Sequence, residues 1–115
     1  MNARLTMCQA QPGRTKDVLK IFHDSIIPST KTQKGFKRMF LFAKPNSDQV
    51  VWLSFWAYEA NLQAADAAGF FKEQVSKLND LLTGPPITDM YKVAAEEKAP
   101  RFEFLRPRSR VPKTS

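Results

Sequence analysis

The chain has 115 residues, a formal net charge of +7 and one cysteine. That length supports a single domain with a real core, and a lone Cys8 excludes an intramolecular disulfide and the cross-linked secreted class with it. No apolar stretch approaches a membrane span and the N-terminus lacks the basic-then-apolar order of a signal peptide, so the cytoplasm is the expected compartment.

Residues 3–10 alternate, with Leu5, Met7 and Gln9 on one side and Arg4, Thr6, Cys8 and Ala10 on the other, which predicts a first strand. Cys8 within it is expected to serve as a small buried hydrophobe. Pro12-Gly13 punctuates the chain, and residues 14–27 carry Thr15, Val18, Leu19, Phe22 and Ile26 at helical spacing, with Pro28 as the expected stop. Gly35 opens a second strand, 36–44, in which Phe36, Arg38, Phe40 and Phe42 are expected on one face and Lys37, Met39, Leu41 and Ala43 on the other. Residues 45–48, Pro-Asn-Ser-Asp, have strong turn chemistry, so the third strand, 49–57, should pair with the second as an antiparallel hairpin. Residues 59–82 read as a long helix with Leu62, Ala65, Phe71, Val75, Leu78 and Leu82 inward; Gly69 marks where it kinks or divides, and Gly84-Pro85-Pro86 ends it. Residues 87–95 supply the last strand.

The order β-α-β-β-α-β is the split-βαβ, ferredoxin-like plan, an α+β fold with a four-stranded antiparallel sheet. Val50 to Trp56 is apolar on both alternating faces, with Trp52, Ser54 and Trp56 together on one of them. A sheet with two apolar faces needs two covers, and the helices of so short a chain supply one. A second copy of the same sheet is the simplest other cover, so a homodimer through sheet faces is expected.

The domain is expected to span 1–97, followed by a basic, proline-containing tail at 98–115. Six of the eighteen Lys and Arg residues lie in that tail against one acid, Glu103, so the body is close to neutral. Phe102, Phe104 and Leu105 form a short apolar knot there. The body offers no basic patch to extend the tail, so nucleic acid is disfavoured as a partner. No glycine-rich phosphate loop, nucleophile elbow or paired-histidine motif occurs. One histidine and one cysteine are too few for the usual zinc or iron site.

Gly35-Phe36 at the mouth of strand two, the Trp-ended strand three running into Glu59, Phe70-Phe71, and the run LLTGPPITDMYKV leading into strand four resemble the antibiotic biosynthesis monooxygenase domain, of the dimeric α+β barrel superfamily. The resemblance covers about residues 3–96. It implies paired sheets and, in each subunit, a pocket between sheet and helices. It also implies the cofactor-independent oxygenation of a small aromatic or quinol-like molecule, without metal or flavin. A deprotonated phenol can itself give an electron to oxygen, so the protein has to exclude water, hold the ring and accept a proton. The heme-degrading branch needs an Asn, a Trp and a His at positions that here fall on Ala3, near Ala65, and near Gln74 or Val75; none is present, so heme degradation is disfavoured.

On the resemblance, the catalytic candidates are His23, Tyr58 and Trp56, and the substrate-binding candidates are Trp52, Phe40, Arg38, Asn61 and Tyr91. His23 is the one side chain whose ordinary pKa lies near neutrality. Each has a plainer role beside it: packing for the tryptophans, a helix flank for His23, a helix cap for Tyr58 and Asn61, and a cation–π contact for Arg38. The alternative on the same fold is a non-catalytic ligand-binding or stress-response dimer.

Overall fold

The computed structural model describes residues 1–100. Strand β1 (Asn2–Gln9) leads into helix α1 (Thr15–Ile21), a π-helical turn (Phe22–Ile26) and α2 (Ile27–Lys31). Strands β2 (Phe36–Ala43) and β3 (Gln49–Trp56) follow, then α3 (Glu59–Ala67), α4 (Phe70–Ser76), a 3-10 turn (Asn79–Leu81) and β4 (Ile87–Lys92). The sheet order is β2-β3-β1-β4 and every pairing is antiparallel. The α+β plan expected from the element order is therefore the observed one.

Two elements differ in detail from the sequence reading, and a third divides where that reading marked it. Pro28 does not stop the first helix. The ladder loosens upstream into an i→i+5 register, with the Ile27 N–H donating to Phe22 O, and Pro28 then sits in the first turn of α2, where a missing donor costs little. The second predicted helix is divided at Gly69, as expected. Gly69 takes φ +80° between α3 and α4, a left-handed conformation natural to glycine. The β2–β3 ladder slips between Phe36 and Arg38, a bulge that turns Phe36 to the helix side against Trp56, so Phe36 does not share a face with Arg38, Phe40 and Phe42.

Helices cover one face only. Cys8, Val18, Phe22, Ile26, Val50, Trp52, Leu78 and Leu82 form a buried cluster between the sheet and these helices. Cys8 is buried as expected, and burial pushes its thiol up to about 11. On the opposite face Arg38, Phe40 and Phe42 of β2 adjoin Val51, Leu53 and Phe55 of β3, then Ala3, Leu5 and Met7 of β1, then Ile87, Asp89 and Tyr91 of β4. Phe40, Phe42, Met7, Ile87 and Tyr91 are exposed there. No described helix is long and apolar enough to cross a membrane. Lys98 to Pro100 are exposed, and the rest of the predicted tail lies outside the described residues.

Candidate functional site

The two-residue period of the strands decides what faces the helices. Arg4 and Thr6 of β1, Trp52, Ser54 and Trp56 of β3, and Thr88 of β4 lie side by side on that face. Leu62, Ala65 and Asp66 of α3, Phe70 and Phe71 of α4, and Thr30 of α2 close over Arg4, Trp52, Ser54 and Trp56. The void they enclose is about 10 Å³, room for at most one water.

Arg4 is the buried cation of this site, paired with the Asp66 carboxylate. It is 7% exposed. Its Nη2 donates to both Asp66 oxygens at 2.5 Å, and Nη1 reaches Thr88 Oγ1 at 3.4 Å. Thr88 is anchored in turn by Thr6 at 3.0 Å. The guanidinium carbon stands 4.0 Å from the centre of the Phe71 ring, a cation–π contact. A buried guanidinium is tolerable only with such partners, because an uncompensated charge in a dry site is expensive.

Trp52 and Trp56 are equally buried but differently satisfied. The Trp56 indole donates to Ser54 Oγ at 3.0 Å, and Phe36 packs edge-on at 5.7 Å. Trp52 meets Phe22 edge-on at 5.0 Å and stacks with Phe71 at 5.4 Å, yet its Nε1 has no acceptor among the described residues. A buried N–H without an acceptor is rare enough to need an explanation.

The other predicted residues lie elsewhere. His23 is exposed on the π-helical turn, outside the residues lining the void. Tyr58 caps α3 and is exposed; its N–H donates to the Asn61 side-chain oxygen at 3.0 Å, so both serve the helix start. Asn61 also seals Gly35: at φ +84°, a Cβ there would stand 2.1 Å from Asn61 Oδ1. Arg38, Phe40 and Tyr91 are on the helix-free face of the sheet, separated from the two tryptophans by the sheet itself. Thus Trp52 and Trp56 are brought together, and the others are not gathered with them.

Arg4, Asp66 and Phe70 were not among the predicted site residues. The signal available was Arg4 itself, a charge on the same strand face as Thr6, Cys8 and Ala10. Its partner is 62 positions away, and alternation within a strand contains nothing about which helix carboxylate will lie above it.

No family model and no curated protein matches the sequence. Solved structures do. A monooxygenase from the ActVA-Orf6 gene of Streptomyces coelicolor, in complex with nanaomycin D, aligns with a TM-score of 0.73 at 16% identity, over 86% of this chain and 92% of that one. SnoaB, a cofactor-independent oxygenase from Streptomyces nogalater, aligns with a TM-score of 0.69 at 18% identity, over 83% and 94%. A protein of unknown function from Nitrosomonas europaea aligns with a TM-score of 0.68 at 21% identity, over 86% and 95%. The chain has the fold of the antibiotic biosynthesis monooxygenases. At these identities the likeness is one of fold, and fold leaves activity open.

Proposed function

We propose that the protein binds a small, flat aromatic or quinol-like molecule between sheet and helices and oxygenates it without a cofactor. The observation that supports this most is the lining: among the described residues, four aromatic side chains surround one buried cation and an indole N–H without an acceptor. Aromatic walls suit a flat ring, and a few converging polar groups suit its oxygens. In this reading Trp52 and Trp56 hold the ring. Arg4 favours its ionised oxygen, and Asp66, the one carboxylate lining the void, accepts the proton. The Streptomyces proteins of this fold, one a monooxygenase with a bound ligand and one a cofactor-independent oxygenase, are consistent with it.

A second reading, binding without turnover, has one observation in its favour: His23 and Tyr58, the expected proton carriers, stand outside the lining. Oxygen uptake with a panel of hydroquinones separates the two. The oxygenase reading expects turnover that falls at least about tenfold in Arg4→Gln, the loss of one charge-assisted contact, and that persists in His23→Ala. Absence of uptake above buffer would leave only the binding protein.

The assembly proposed is a homodimer that buries the helix-free sheet face. Its apolar residues on all four strands form a contiguous patch, and contiguous exposed patches mark interaction surfaces. Arg38, Phe40 and Tyr91 would then belong to the interface. The cytoplasm remains the proposed compartment.

A further inference from the structure

We propose that the Arg4–Asp66 pair is a latch on the cavity, and that the ligand it admits is a ring compound bearing an anionic oxygen, which takes the place of Asp66 on the Arg4 guanidinium. This rests on the reading of the cavity as a site for aromatic rings and narrows its substrate class to phenolates, enolates and carboxylates of aromatic compounds.

The two partners are unequally buried. The Arg4 side chain is 8% exposed and that of Asp66 is 39% exposed. A carboxylate already touching water can leave and be rehydrated at small cost. The cation cannot follow it, so it must keep an anion of some kind. The pairing also uses the guanidinium poorly. Both Asp66 oxygens sit on Nη2, while Nη1 makes only the 3.4 Å contact with Thr88, so the fork is not filled in the bidentate manner that suits a carboxylate best.

The second polar point is the Trp52 indole. It is 3% exposed and has no acceptor among the described residues. A ring compound with one anionic oxygen on Arg4 and another acceptor on Trp52 Nε1 would satisfy both groups. Phe71 marks where the ring would go, since it now lies against the Arg4 guanidinium at 4.0 Å and stacks with Trp52 at 5.4 Å. The void is too small for a ring as it stands, so entry exchanges one ring for another.

The movement this requires is assigned to Gly69. Gly69 separates Asp66 on α3 from Phe70 and Phe71 on α4, and nothing lies within 4 Å of where its Cβ would be. Its N–H donates to Asp66 O at 2.9 Å, which couples the carboxylate's own residue to the joint. Releasing Asp66 from Arg4 and swinging Phe71 aside are thus motions on either side of one glycine.

The test compares para-nitrophenolate with para-nitroanisole, its neutral methyl ether, by titration calorimetry on the full chain at a pH where the phenol is ionised. The wild type is expected to prefer the anion by about tenfold, the worth of a charge-assisted hydrogen bond. Asp66→Asn should tighten the anion about tenfold further and leave the ether within about twofold, because it frees Arg4 without touching the ring walls. Arg4→Gln should erase the preference. Asp66→Asn suffices if Arg4→Gln fails to fold, since the amide oxygen of Asn still accepts a hydrogen bond from the guanidinium until the anion replaces it. Equal binding of the two probes by wild type and Asp66→Asn overturns the latch and leaves the aromatic site standing. Binding of neither probe by any form removes the aromatic site and the latch together.

Discussion

Two indoles four positions apart on one strand show how little separates a packing residue from a binding one. Trp52 and Trp56 have the same exposure, 3%, and the same strand face. The Trp56 indole donates a hydrogen bond to Ser54 Oγ, and the Trp52 indole has no acceptor among the described residues. An unsatisfied buried donor costs about 1–3 kcal/mol, so its removal returns part of what the lost ring volume takes away. Trp56→Phe is therefore expected to destabilise the fold by about 1–2 kcal/mol more than Trp52→Phe, since it both trims a packed ring and orphans Ser54. Urea unfolding of the two variants measures the difference; equal losses would mean that the Trp52 N–H finds an acceptor in solution.

At the scale of elements, the hairpin turn is tied to the first helix through one side chain. Asp48 accepts a hydrogen bond from Thr15 Oγ1 at 2.7 Å and one from the Gly13 N–H at 3.2 Å, while its own carbonyl accepts from the Ala10 N–H at 2.8 Å. The Thr15 hydroxyl, aided by the Gly13 N–H, holds the Asp48 carboxyl below its ordinary range. A lowered folded-state pKa gives stability that is present above the unfolded carboxylate pKa and is lost as pH falls through the folded value. Asp48→Asn should accordingly melt below wild type at neutral pH, with the gap closing as the solution is taken to acid. A gap that stays constant with pH would show that the carboxylate charge is irrelevant to the tie. The same scale explains Pro28. A missing N–H stops a helix only if the ladder upstream is rigid, and a wide turn at Phe22–Ile26 lets the chain continue.

For the whole molecule the controlling fact is that helices cover one side of the sheet. Strand β4 is exposed along its full length, and Phe40, Phe42 and Met7 are exposed on the uncovered side. Phe40 stacks on Phe42 at 6.0 Å and meets Phe55 edge-on at 6.3 Å, so the patch is continuous across β2 and β3. The proposed homodimer would bury it. Sedimentation velocity at micromolar concentration is expected to return twice the chain mass for the wild type and the single-chain mass for Phe42→Lys, whose ammonium would be buried without a partner at the joint. A wild type sedimenting as one chain would leave this face without its proposed partner.

Local pattern was enough for much of this. Alternation placed Trp52, Ser54 and Trp56 on one face and kept Arg4 with Thr6 and Cys8; helical spacing identified Val18, Phe22, Ile26, Leu62 and Leu78 as interior; the element order led to the sheet plan. These are properties of neighbours in the chain, with periods of two or about three and a half residues. Tertiary structure decided the rest. Only the assembled sheet and helices bring Asp66 onto Arg4, Phe71 onto both Arg4 and Trp52, and leave His23 and Arg38 on outer surfaces. A one-residue bulge also reversed Phe36, because ladder slippage depends on the partner strand and flips every side chain before it. Contacts between residues sixty positions apart depend on how whole elements stack, and no periodicity along the chain records that.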